Sequence, residues 1–242
     1  VSDITIIGRS RSWLVQLRAT SNVVFDNVKV LSVNRANVNG DGFDFQGGEN
    51  IRIVNSLIRS ADDAFAFFPS NPIIYARDSG QHLNDTYPGV KNVLIDNCVI
   101  WSTLANIYRL VPGRRNFVTD NIAMRDCDVI HVSSGFWWAP WSLLCTIDPL
   151  KIENSLHTNY LFEDIRFEEP VPLFGLQGGT GIYRNFTFKN IHMSGIPDSS
   201  LLQGGIEGMV FDNVWINEKK ISSFDELLIN PANLKETSVI FK

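Results

Sequence analysis

Along most of the chain apolar and polar residues alternate with a period of two, in short runs that begin and end on Asn, Asp or Gly. Runs of this kind, rich in Val, Ile, Phe and Tyr, suit strands with one buried face, and the polar residues at their ends suit turns. They also repeat one phrase, Asn-apolar-x-apolar-x-Asn-apolar. Seven copies can be written: NVVFDNV at 22–28, NIRIVNS at 50–56, NVLIDNC at 92–98, NFVTDNI at 116–122, NYLFEDI at 159–165, NFTFKNI at 185–191 and GMVFDNV at 208–214. The second polar position, the marker, falls at Asn27, Asn55, Asn97, Asn121, Asp164, Asn190 and Asn213, with spacings of 28, 42, 24, 43, 26 and 23.

A unit of about 25 residues made of short strands cannot bury its own apolar face and must stack on its neighbours. The pattern therefore predicts an all-β fold, a right-handed parallel β-helix of about seven or more coils, with the marker residues stacked as an internal ladder. Leucine-rich repeats would need a Leu ladder, and propeller blades about 40 residues at even spacing. A β-sandwich has strands as dense but does not repeat one phrase seven times. The β-helix is expected over residues 1–218, with insertions at 69–91 and 132–158 projecting as loops from one side. Residues 219–242 read as a C-terminal tail or cap containing a helix-like stretch from Ser223 to Ile229, whereas Ile4 to Ile7 already reads as a strand.

Composition narrows the partners. The 242 residues carry 21 Lys+Arg against 26 Asp+Glu, a net charge of −5 that offers no basic field to a nucleic acid. No apolar run approaches the roughly 20 residues of a membrane span, so neither nucleic acid nor membrane is expected. Cys98, Cys127 and Cys145 form no CxxC pair and no disulfide framework. The first residues lack the charged and apolar regions of a signal peptide.

Chemistry concentrates in two segments, NGDGFDF at 39–45 and ADDAFAF at 61–67. Asp41 precedes Asp62 and Asp63 by 21 and 22 residues, close to one coil. Stacking would then bring the three acids to about one strand spacing, roughly 4.8 Å. Like charges this close raise a pKa, which is tolerable where a cation is bound or a proton is used. One protonated and one ionised carboxyl are what cleavage of a glycosidic bond requires. A plainer reading makes Asp41-Gly42 and Asp62-Asp63 ordinary turns, and a third makes the cluster a calcium site. Asp44 competes with Asp41, at 18 and 19 residues from the pair.

Trp101, Trp137, Trp138, Trp141, Tyr75, Tyr87 and Tyr108 follow downstream, five of them in or beside the insertions. Flat side chains held on loops can stack on sugar rings, which makes Trp137, Trp138 and Tyr108 substrate-binding candidates alongside Asp44. Arg109 and His131 are further subsite candidates, while Arg114 and Arg115 suit a solvated face. No cofactor or metal is assigned.

These residues carry a family resemblance. NGDGFDF followed by NIRIVNSLIRSADDAFAF resembles the stretch of polygalacturonases in which an Asn-x-Asp-Gly motif precedes an Asp-Asp pair by one coil, and ITIIGRSRSWLVQLRATSNVVFDNV is similar to what comes before it. The Gly-His-Gly and Arg-Ile-Lys motifs of that family are absent; the corresponding coil reads LANIYRLVPG at 104–113. VIWSTLANIYRLVPGRRNFVTDNIAMRDCDVIHV is instead similar to the related dextranase and isopullulanase family, which belongs to the same clan and also lacks Gly-His-Gly. The likeness covers residues 1 to about 132, and the remainder only as repeat pattern.

The resemblance implies a glycoside hydrolase, secreted or at a cell surface or periplasm, acting on a polysaccharide or oligosaccharide without a cofactor. It would make Asp62 the general acid, with Asp41 and Asp63 positioning and deprotonating water for hydrolysis with inversion. Missing the Arg-Ile-Lys cations, the chain favours a neutral α-glucan over galacturonan. Members of the clan usually carry more coils before the Asp-Gly motif, so further N-terminal coils or a partner are expected to cover the first coil. The rival readings are a noncatalytic carbohydrate-binding or adhesive β-helix and a polysaccharide lyase.

Overall fold

A computed structural model of the chain describes residues 1–8, 13–33, 39–67, 89–110, 117–133, 142–146, 155–176, 181–197, 200–202, 204–227, 229–230, 234–236 and 239–242. Their strands wind into a parallel β-solenoid, as the alternation predicts, and no α-helix occurs among the described residues.

Each winding passes through three sheets. The long sheet is built from the repeated phrase, with strands Val15–Asp26, Phe43–Val54, Gly89–Asp96, Val118–Val132, Leu156–Phe167, Ile182–Met193 and Gly204–Ile216 paired in parallel order. A second sheet follows, in which Thr5–Gly8, Lys29–Ser32, Leu57–Ser60, Val99–Ser102 and the end of Val118–Val132 pair in turn. Past a short turn comes a third sheet. It runs from residues 43–45 through Phe65–Phe67, Tyr108–Leu110, Leu144–Thr146 and Phe174–Leu176 to Ser200–Leu202.

The corner between the long and second sheets explains the Asn phrase. Both of its polar ends adopt the left-handed conformation, with φ of 57° and 51° at Asn50 and Asn55 and 54° and 51° at Asn92 and Asn97. Among non-glycine residues Asn and Asp bear this conformation best, because their short side chains bond locally. Here they bond from coil to coil: Asn97 Nδ2 donates to Asn55 Oδ1 at 2.8 Å, and Asn213 Nδ2 to Asn190 Oδ1 at 2.8 Å. A second column runs Asn92 to Asn50 to Asn22, with bonds of 2.9 and 3.0 Å.

Two expectations about this ladder need correction. It is not internal, since Asn27, Asn55 and Asn97 are exposed at the corner and the apolar positions between them fill the interior. The fourth copy is also shifted by five residues. Ile122 pairs with Val93 and Tyr160, so Asn121 stands in the first column and Asp126, at φ 48°, is the marker. The true phrase is NIAMRDC at 121–127; Asn116 and Asn121 mimic it because they too lie five apart.

Inside, like residues stack on like. Phe162, Phe188, Phe211 and Phe241 form a column with centroid separations of 5.0, 5.2 and 4.9 Å, and Phe45 stacks on Phe67 at 4.7 Å. Each such pair contributes about 0.5–1.5 kcal/mol beyond the area it buries.

The expected boundaries also shift. Within 132–158 the segment Leu144–Thr146 is a strand of the third sheet and not a projecting loop, and 156–158 already belong to the long sheet. The tail does more than cap. Leu234–Glu236 and Val239–Phe241 add parallel strands to the long sheet, because Phe241 extends the phenylalanine column. Among the described residues of the helix-like stretch, a 3-10 turn forms at Asp225–Leu227 and Ile229 already belongs to a strand, Ile229–Asn230.

Candidate functional site

The turn leading from the second sheet into the third carries the acids. Parallel register sets Phe43 beside Phe65 and Phe65 beside Tyr108, and the residues two before them fall in line. Asp41, Asp63, Asn106 and Ser142 therefore form one column across four windings. Backbone bonds fix it: Gly42 N–H donates to Asp63 O at 2.9 Å, Ala64 N–H to Asn106 O at 2.9 Å and Ile107 N–H to Ser142 O at 3.1 Å. Gly42 is required by space, since a Cβ there would stand 2.5 Å from the Ala64 carbonyl oxygen and 2.8 Å from Ile58 Cγ2.

One oxygen each from Asp41, Asp62 and Asp63 lies within 4.8 Å of the others, and all three residues are buried. The spacing expected from the sequence thus brings these three side chains together. Asp62 is held by its backbone: its carbonyl accepts from Ser60 Oγ at 2.7 Å and Ser102 Oγ at 2.8 Å, and its Oδ1 accepts the Asp63 N–H at 3.1 Å.

Their environments differ. Burial, then the neighbouring Asp63 charge, pushes Asp62 from 3.8 up to about 8, against the opposing pull of Arg109. Asp62 therefore carries a proton at neutral pH. Asp63 is surrounded by donors: Oδ1 accepts from Asn106 Nδ2 at 2.8 Å and Asn106 N–H at 3.1 Å, and Oδ2 lies 3.4 Å from Arg109 Nη1. Asp41 and Asp44 are both raised well above the carboxylate range, chiefly by burial. Asp41 Oδ1 and both Asp44 oxygens have no hydrogen-bond partner among the described residues, and the Asp44 charge adds to the upward push on Asp41.

The same three oxygens are the described group able to hold a metal ion, and hard cations such as calcium take carboxylates at this spacing.

The remaining candidates separate. Arg109, partly exposed, belongs to the site through Asp63. Tyr108 does not: it is fully buried and stacked on Phe67 at 5.7 Å, because its strand position faces inward, so it cannot touch a substrate. Asp44 is likewise sealed from solvent. His131 lies on the outer face of the second sheet, in line with Arg59 and Trp101, bonded through Nδ1 to Glu169 Oε2 at 2.6 Å and tilted over Trp101 at 4.8 Å. Trp137 and Trp138 lie outside the described residues, as do Trp141, Tyr75, Tyr87, Arg114 and Arg115. A cleft of about 610 Å³ opens further along the same turn, bordered by Arg166, Glu168, His192, Ser194 and Asn217.

Asn106 and Ser142 escape a reading of the sequence. Carrying the marker spacing of 42 forward from Asp63 reaches Ala105, one residue short of Asn106. Ser142 follows Asn106 by 36 residues, across the interval read as a loop.

Comparison of the chain with protein-family models, with curated proteins and with solved structures finds no match in any of the three.

Proposed function

We propose that the chain is a glycoside hydrolase of the polygalacturonase and dextranase type, cutting a polysaccharide, with a neutral α-glucan preferred over galacturonan. The observation that carries this reading is the acid cluster: three carboxyl groups from adjacent coils within 4.8 Å, with Asp62 protonated at neutral pH and Asp63 supplied with donors. A protonated acid beside a carboxyl group supplied with hydrogen-bond donors matches the demand of glycosidic cleavage. Asp62 Oδ–H protonates the leaving oxygen, and Asp63 takes a proton from the attacking water. Asp41, whose carboxyl is raised well above the carboxylate range chiefly by burial, shapes the water site with Asp63. Arg109 is engaged by Asp63, which fits a substrate without carboxylates of its own.

Inversion is proposed for the stereochemistry. The nearest oxygens lie closer than the roughly 6.5–9.5 Å usual for an inverting pair, so the anomer formed first is the decisive reading. Proton NMR of early product should show the inverted anomer; a retained one would make Asp63 a nucleophile. Replacement Asp62→Asn should lower release of reducing ends from dextran by about 100-fold or more with circular dichroism unchanged. Full activity in that variant overturns the hydrolase reading.

A noncatalytic carbohydrate-binding β-helix is the second reading, favoured by the ability of the three buried oxygens to surround a cation. Calcium that raises the melting temperature, with no hydrolysis across neutral and acidic polysaccharides, would select it. In either case the first windings end on an open edge with Ile4 and Ile7 exposed, and we propose that further N-terminal coils or a partner chain cover it.

A further inference from the structure

Asn106 stands in the acid column and is fully buried, yet the proposed chemistry gives it no proton to move. Its amide is engaged at both ends. Ser142 N–H, which can only donate, reaches Asn106 Oδ1 at 3.0 Å, with Ser142 Oγ at 3.4 Å. This settles which end of the amide is which. Nδ2 must therefore face Asp63, whose Oδ1 it meets at 2.8 Å, and the Asn106 backbone N–H reaches the same oxygen at 3.1 Å.

We propose that Asn106 is a positioning residue, an amide clamp anchored on the Ser142 backbone that fixes the rotation of the Asp63 carboxylate. Two donors hold Oδ1, so Oδ2 is turned toward Arg109 and remains the oxygen available to a water. A carboxylate held by donors whose own orientation is locked keeps its geometry through a reaction without reorganising. The column supports the assignment in another way: Asp41 and Asp63 are acids one coil apart, and a third acid at 106 would add repulsion where the amide supplies donors. The inference rests on the hydrolase reading for its kinetic consequence, but its geometric part stands apart from activity.

Two measurements keep those parts distinct. In the folded protein, proton–nitrogen NMR should show the Asn106 side-chain NH₂ as slowly exchanging signals that move in Asp63→Asn and change little in Ser142→Ala, which retains the backbone donor. An Asn106 NH₂ that exchanges like an exposed amide overturns the clamp, whether or not the protein hydrolyses anything. With dextran as substrate, Asn106→Ala should lower kcat by about 10- to 100-fold, leave KM within about threefold and displace the acid limb of the pH–rate profile. Asn106→Ser, retaining the backbone donor and a small polar group, should fall between Asn106→Ala and the parent. Circular dichroism and melting temperature identify variants that fail to fold, in which case Asn106→Ser carries the kinetic test. Unchanged kcat and pH profile in a folded variant, or KM rising in step with the fall in kcat/KM, would overturn the positioning role. If the parent releases no reducing ends, the hydrolase reading fails while the NMR measurement still decides the clamp.

Discussion

Asp41 and Asp63 are stacked neighbours, joined through the Gly42 N–H to Asp63 carbonyl bond of 2.9 Å, and with Asp62 each places an oxygen within 4.8 Å of the others. Parallel in-register stacking makes this unavoidable: whatever occupies equivalent positions in successive coils is held at one strand spacing. A solenoid thereby turns a sequence separation of about one coil into a contact, at an electrostatic cost that raised pKa values disclose.

The first consequence is a dependence of stability on pH. Asp62 titrates at about 8 when folded against 3.8 as the free group. The folded chain binds the extra proton, so its contribution is fully present below about 4, declines as pH rises and is gone above about 8. Asp62→Asn should flatten that limb and raise stability by about 1–3 kcal/mol at pH 9. Urea unfolding of both proteins at pH 5 and pH 9 checks it; an equal loss between the two pH values in both proteins would contradict it.

His157 acts in the opposite sense. Burial lowers it from 6.5 to about 3, with Nδ1 lying 2.8 Å from Thr119 Oγ1, which also meets the Tyr160 hydroxyl at 2.6 Å. The unfolded chain takes a proton below about 6.5 that the folded chain refuses until about 3, so this contribution falls as pH drops through that window. About 2 kcal/mol should be lost by pH 5. In His157→Gln the stability difference between pH 7 and pH 5 should shrink by that amount, measured by the same unfolding method.

Tyr108 offers a stability gain. Its hydroxyl is buried with no hydrogen-bond partner among the described residues, and an unsatisfied buried hydroxyl costs about 1–3 kcal/mol. Tyr108→Phe should raise the melting temperature by a few degrees and leave hydrolysis unchanged. Loss of activity in a folded Tyr108→Phe protein would restore the tyrosine to the site.

Gly42 should be intolerant of even a methyl group. With the Ala64 carbonyl oxygen 2.5 Å from the position of a Cβ, Gly42→Ala must part the coils beside Asp41, at a cost of about 1–3 kcal/mol. Thermal unfolding should register the loss, and activity should fall with it because Asp41 and Asp63 separate.

The corner ladder can be dissected at Asn97. Asn97→Ala loses both the bond to Asn55 and tolerance of φ 51°; a drop of about 1–2 kcal/mol is expected. Asn97→Gly keeps the conformation and should recover part of it. Equal destabilisation by Ala and Gly in chemical denaturation would show that the hydrogen bond alone matters.

What the sequence by itself determined was periodic. Alternation with period two, the seven-fold phrase and the one-coil separation of Asp41 from Asp62 and Asp63 are local or regularly spaced signals, and a solenoid converts each directly into structure. Tertiary structure alone decided the rest: that Asp126 and not Asn121 is a marker, that Tyr108 and Asp44 are sealed away, and that Asn106 and Ser142 join the acids. Coil lengths vary because intervening segments vary, so a spacing count drifts by a residue or more, while the backbone bonds between windings hold one register. Burial, too, depends on which neighbours cover a side chain, and those neighbours are distant in the chain.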